Sequence, residues 1–232
     1  MTHIGRGEAS MTLVIPIVFA LGAAAPAAGQ GETDHGMWTN VSVQGPLGAG
    51  SSWRWTFDSV ARARDGASTL DFVAGRVMVT RGLTRRSGVG FGYAYGTGFP
   101  HGSVLREHQF IQQYVWSTGV AWRLSLNSRL EERFVTGHDA VLLRLRQRAR
   151  VTWPLGASGQ LHGVVAGELS MTTNSAARKS WGFEADQVLV GIGRTLTTRT
   201  DVEVGYVNVY SRGGSSRSRR THVVSATLGV SL

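Results

Sequence analysis

The sequence predicts an all-β protein: a closed antiparallel transmembrane β-barrel of ten to twelve strands behind a cleaved signal peptide. Three observations predict it. The N-terminus carries a short apolar run that ends in small residues. Side chains alternate with a period of two through nearly all of the rest. The alternating stretches are long enough to cross a bilayer as tilted strands, which takes about 9–11 residues.

Residues 1–29 read as the signal peptide. Arg6 supplies the positive charge, Met11 to Ala25 is apolar, and Ala27-Ala28-Gly29 offers the small residues a signal peptidase needs. The apolar run is shorter than the ~20 residues a spanning helix requires, and no later segment approaches that length. Residues 30–232 are then the barrel domain. The whole chain has 24 Lys+Arg and 15 Asp+Glu, a net charge of +9. Removing Arg6 and Glu8 leaves 23 − 14, the same +9. Lys179 is the single lysine. Without cysteine there is no disulfide framework and no thiol site. A hydrophobic content of 42% is too high for a disordered chain.

Eleven stretches read as strands: 38–45, 51–63, 68–80, 87–97, 104–116, 120–135, 140–153, 160–172, 182–195, 201–211 and 221–232. Trp53, Trp55, Phe57, Ser59 and Ala61 share one face, against Arg54, Thr56, Asp58, Val60 and Arg62 on the other. Val89, Phe91, Tyr93 and Tyr95 alternate with Gly88, Gly90, Gly92 and Ala94. Leu124, Leu126 and Leu130 alternate with Arg123, Asn127, Arg129, Glu131 and Arg133. Leu143, Leu145, Val151 and Trp153 alternate with Arg144, Arg146, Arg148 and Arg150. Val224, Ala226, Leu228, Val230 and Leu232 alternate with Ser225, Thr227, Gly229 and Ser231. Gly, Asn, Asp and Ser punctuate the gaps. A soluble sheet of this kind would have to bury the arginine row or wet the Leu-Trp face. A membrane barrel turns the apolar face to lipid and the polar face to its lumen.

Bacterial single-chain barrels have even strand numbers. Eleven segments therefore imply ten strands, if 38–45 is not a full wall strand, or twelve, if a pair has been merged. The connections at 97–103, 173–181 and 211–221 are long and polar, and those near 117–119, 154–159 and 196–200 are short. Long external loops and short periplasmic turns match that alternation. Trp53, Trp116, Trp122, Trp153 and Trp181 fall near strand ends, where membrane barrels place aromatic girdles.

The chain also resembles a known group. Trp38, Arg129-Leu130-Glu131-Glu132-Arg133, Leu143-Arg144-Leu145-Arg146, Gly167-Glu168-Leu169, Gly205-Tyr206 with Asn208, and a last strand opening at His222 are similar to an uncharacterised family of bacterial outer-membrane β-barrels, classed as a domain of unknown function. The resemblance covers most of residues 30–232. It implies a barrel in the outer membrane and carries no assigned activity. The final residue, Leu232, departs from the Phe or Trp with which such barrels commonly end.

Function is expected in the polar face. Arg129, Glu131, Arg133, Arg144, Arg146, Arg148, Arg150 and Glu168 are the candidate residues for holding anions in the lumen. Guanidinium groups keep their charge and fork onto carboxylate or phosphate. A surplus of them attracts anions and repels cations. The reading is a passive channel or binding lumen for small anionic solutes, such as sugar acids. Against it stands an interior plugged by Arg–carboxylate pairs.

A lipid-modifying enzyme of the outer membrane and a purely structural barrel are the alternatives. His101, His108, His138, His162 and His222 are available, but no GxSxG motif occurs. The histidines read as loop or rim residues, so no catalytic residue, metal or cofactor is expected. Gly88-x-Gly90-x-Gly92 precedes no helix and reads as small residues leaving room in the lumen. The Arg-rich stretch 212–220 resembles a nucleic-acid tail. The export signal argues against that partner and for lipopolysaccharide phosphates. The expected partners are outer-membrane lipid, lipopolysaccharide, small anions and the barrel assembly machinery, for a monomer that binds no nucleic acid.

Overall fold

The computed structural model describes residues 32–100, 103–119, 122–157, 159–174, 182–212 and 218–232. The expected signal segment, 1–29, lies outside them. All the regular structure in the described residues is strand: β1 (Glu32–Pro46), β2 (Trp53–Arg64), β3 (Thr69–Gly82), β4 (Ser87–Gly98), β5 (Leu105–Ser117), β6 (Arg123–Val135), β7 (Leu142–Leu155), β8 (Leu161–Thr172), β9 (Gly182–Thr197), β10 (Thr200–Ser211) and β11 (Arg219–Ser231). They form one closed barrel in sequence order. Each expected strand has its counterpart. Lengths run from the 12 residues of β2 to the 16 of β9.

The count corrects both even-numbered expectations, because the barrel has eleven strands. The 38–45 segment is a full wall strand, extended to Glu32–Pro46. Its polar start is held by backbone pairing, which side-chain hydropathy does not report. Glu32 lies opposite Arg219, and the ladder continues to Gln44 opposite Ser231.

That ladder is also the one departure from an antiparallel barrel: β1 and β11 run parallel. With strands alternating in direction, an odd ring brings its first and last members together pointing the same way. Parallel pairing is slightly weaker per residue, but an open seam would leave two rows of unpaired backbone groups. The N–H of Leu232 donates to the carbonyl of Gln44 at 2.9 Å and prolongs the seam past the end of β11.

The two ends of the barrel differ. One end has the connections 47–52, 83–86, 118–122, 156–160 and 198–199. The other has 65–68, 99–104, 136–141, 173–181 and 212–218, which include the longest.

The inward face is identified by contacts between strands that are not neighbours. Arg133 on β6 reaches Glu184 on β9 at 3.4 Å, and Arg150 on β7 reaches Glu203 on β10. Such pairs form only across the interior. Inward apolar residues make a small core of Met78, Ala94 and Ile111, with Val164, Val207 and Val223 also buried. The outward face is apolar and open, with Phe91 60%, Val77 50%, Ile192 56% and Val224 59% exposed.

The glycines of β4 face inward as expected, but they do not leave open room. A Cβ on Gly90 would lie 2.7 Å from Thr80 Oγ1 and 3.1 Å from Gln113 Nε2. Side chains from β3 and β5 fill the space over this strand.

Candidate functional site

The site begins with period two on β6 and β7. Every second residue of β7 from Arg144 to Arg150 points inward, beside Asn127, Arg129, Glu131 and Arg133 of β6. The register sets Arg144 opposite Glu131, Arg146 opposite Arg129 and Arg148 opposite Asn127. On the other side Arg148 lies opposite Glu168 of β8. Two guanidinium groups face each other at Arg129 and Arg146, an arrangement that is unfavourable unless a carboxylate intervenes.

Glu131 intervenes. It is 1% exposed and accepts Arg144 Nε at 2.6 Å and Arg146 Nη1 at 3.2 Å, with Arg129 Nη1 at 3.7 Å. Glu168 accepts Arg146 Nε at 2.8 Å and Gln187 Nε2 at 3.1 Å. Arg133 is forked onto Glu107, with Nη2 at 2.8 Å, and Gln109 adds a bond to the same carboxylate at 2.9 Å. Glu184 links Arg133 at 3.4 Å to Arg144 at 4.0 Å. Arg150 is forked onto Glu203 across the bore. On the β2–β3 wall Arg76 pairs with Asp58 at 2.7 Å. Charges taken out of bulk water need such multiple partners.

Of the eight expected residues, six therefore join through shared carboxylates: Arg129, Glu131, Arg133, Arg144, Arg146 and Glu168. Arg150 belongs to a separate pair. Arg148 makes no hydrogen bond or ion pair among the described residues and is exposed, although it faces the bore. Its charged neighbours are Glu168, Arg150, Arg146 and Glu203. Water-sized space therefore reaches its side chain inside the barrel.

Three participants were not singled out from sequence. Glu107 has the right phase on β5, alternating inward with Gln109, Ile111 and Gln113, so its signal was present. Glu184 follows a register shift opposite Ser170/Met171, and strict alternation does not place it. Arg62 was placed on the polar face of β2, but not what holds it there. Its guanidinium lies 4.2 Å from the Trp38 ring centroid and 5.4 Å from that of Phe72. Both aromatics point inward, which a hydropathy pattern reads as lipid-facing. Arg62 Nε and Arg129 Nε are buried with no hydrogen-bond partner among the described residues.

The charge sum follows. Arg62, Arg76, Arg129, Arg133, Arg144, Arg146, Arg148 and Arg150 face Asp58, Glu107, Glu131, Glu168, Glu184 and Glu203 across the bore. Over these fourteen residues alone, leaving out charges nearer the strand ends such as the Arg64–Asp71 pair, eight minus six leaves +2. The surplus is small because most of the arginine is neutralised within the network.

Two histidines expected at the rim lie instead on the outer face of the wall. Tyr93 Oη is 2.6 Å from His108 Nδ1, and Tyr206 bonds His222. His162 lies inside, 3.9 Å from Asp201, and His138 sits in the 136–141 turn. His101 is outside the described residues. No serine hydroxyl is bonded to a histidine, and no cluster of metal-ligating groups occurs, among the described residues.

Outward aromatics gather near both ends of the barrel. Trp122 stacks on Trp153 at the short-turn end. Tyr93, Phe110 and Phe134 pack together toward the other. Trp181 and residues 213–217 of the Arg-rich stretch are outside the described residues, while Arg219 and Arg220 open β11.

A family model described as a protein of unknown function, DUF2490, matches residues 35–219. An uncharacterised protein of Methylorubrum extorquens is 26% identical over 207 residues, covering 85% of this chain and 87% of that protein. No solved structure matches.

Proposed function

We propose, for a chain that belongs to the DUF2490 family, that it is an outer-membrane barrel whose bore binds small anionic solutes and passes them passively. The observation that carries this reading is Arg148: a permanent cation, without a partner among the described residues, exposed inside a closed ring of strands. A net positive interior draws anions in and excludes cations.

The membrane location is supported by the outer surface. Val190 52%, Val204 54% and Val224 59% exposed would be costly in water but suit acyl chains. Closure leaves no strand edge, as lipid demands. Two pairs of polar side chains on that surface bond each other, Gln112 with Glu132 at 3.3 Å and Ser128 with Gln147 at 2.6 Å. Pairing lowers the cost of polar groups among acyl chains. The end with the longer connections faces outward in this reading, near lipopolysaccharide, and the chain is a monomer. An N-terminal signal and the assembly machinery deliver it.

Eleven strands lie between the eight that side chains can fill and the 16–18 that leave a wide channel. Cross-bore pairs such as Arg150–Glu203 narrow the passage further. Small solutes fit such a bore and large ones do not. Planar-bilayer recording of the refolded protein is the test. Small steps of current with anion preference are expected. Absence of current, or preference for cations, would sink the passage reading.

A further inference from the structure

Within that bore the positive charge is not spread evenly. Glu168 lies opposite Arg148 in the ladder and pairs with Arg146, and Arg62 and Arg129 also feel its charge. Arg146 takes it up directly. The other three are left incompletely matched. Arg62 rests between aromatic rings with its Nε unbonded. Arg129 has its Nε unbonded and a distant contact at 3.7 Å. Arg148 has neither hydrogen bond nor ion pair among the described residues. A buried guanidinium donor without an acceptor is costly, and the cost is removed by an incoming acceptor.

Arg129 and Arg148 come from the neighbouring strands β6 and β7, and Arg62 comes from β2 on the far side of the ring. Arg62 is held by Trp38 and Phe72 rather than by a carboxylate, so no carboxylate takes up its charge directly. Among the fourteen charged residues summed above, the surplus is two charges. A singly charged ion would leave one guanidinium unmatched.

We propose that this middle section is a binding site for a doubly charged oxyanion, a sulfate or a phosphate group, held by Arg62, Arg129 and Arg148 around Glu168. The proposal rests on the reading that solutes enter the bore. Tetrahedral oxyanions present several acceptor oxygens at once, which suits guanidinium forks arriving from separate walls.

The test is calorimetric titration of the full chain, folded in detergent, with sodium sulfate, glucose 6-phosphate and sodium nitrate. The first two separate a free ion from a phosphate carried on a larger solute. Binding of either dianion, at least tenfold tighter than nitrate, is expected. Arg62→Gln and Arg148→Gln should each weaken it roughly tenfold, the size of one charged hydrogen-bonding partner. Neither change strands a carboxylate. Glu168→Gln should act in the opposite sense and tighten binding, because it removes the competing negative charge. A variant that merely misfolded could not tighten it, and unchanged heat-shifted gel mobility checks the fold.

No dianion binding, equal binding of nitrate, or variants that bind like the parent would overturn the proposal. Sulfate binding without current keeps this inference and ends the passage reading. Anion current without dianion binding does the reverse.

Discussion

Strands β4 and β7 have the same alternation and opposite interiors. On β7 every second residue from Arg144 to Arg150 is arginine. On β4 every second residue from Gly88 to Gly96 is glycine or alanine. The outward faces match in kind: Phe91 and Tyr93 on one, Leu143 and Leu145 on the other. The inward face of β7 supplies its own bulk and reaches across the ring. The inward face of β4 supplies none and is covered by Met78, Thr80 and Gln113 from its neighbours. A bore of fixed circumference has a limited cross-section. Long side chains on one arc leave space for backbone only on another. The two strands fail differently when changed: β7 through charge, β4 through volume.

The largest effect is expected where charge is most concentrated. Glu131→Ala leaves Arg144 with only Glu184, leaves Arg146 with only Glu168, and deprives Arg129 of its nearest carboxylate. Breaking a buried pair from one side costs about 3–5 kcal/mol. Denaturant unfolding of the liposome-inserted protein, followed by Trp fluorescence, measures it. A loss under about 1 kcal/mol would mean that water in the bore already solvates these guanidiniums.

On β4 the matching change is Gly92→Leu. The position a Cβ would take is already occupied by the Met78 side chain and the Val77 carbonyl oxygen, so the cost is overpacking, about 1–3 kcal/mol or more. Gly167→Leu on the outward face of β8 is the control, since nothing lies within 4 Å of its added Cβ. The difference between the two glycines reports how full the bore is. If they cost the same, the space over β4 is not packed, and the contrast between the strands is one of charge alone.

How much of this was legible in sequence follows from what alternation encodes. Period two assigns faces, so Arg144, Arg146, Arg148, Arg150, Arg129, Glu131 and Arg133 were placed together correctly. Glu168, named with them as a candidate, lies on the next strand in register opposite Arg148. Closure is not encoded in any one strand. The parallel β1–β11 seam arises from the parity of the whole ring, and the polar start of β1 hides it. Which cross-bore contacts form is likewise not set by any one strand. Arg150 and Glu203 are 53 residues apart on non-neighbouring strands, and only the circumference brings them together. Trp38 and Phe72 were hidden for another reason: an aromatic under a guanidinium looks, in sequence, like one facing lipid.

The smallest effect is the most informative. Arg146 and Arg148 share a strand, a face and a residue type, and sequence treats them alike. Their surroundings differ: Arg146 bonds Glu131 and Glu168, whereas Arg148 bonds neither and is exposed in the bore. Arg148→Gln should change unfolding free energy by no more than about 0.5 kcal/mol, the range of substitutions that break no contact. Arg146→Gln should cost several times that, because two carboxylates lose a partner. A structural arginine and a solute-facing arginine are separated by this ratio. Should Arg148→Gln prove as damaging as Arg146→Gln, Arg148 would belong to the scaffold, and the bore would hold one guanidinium fewer for an incoming anion.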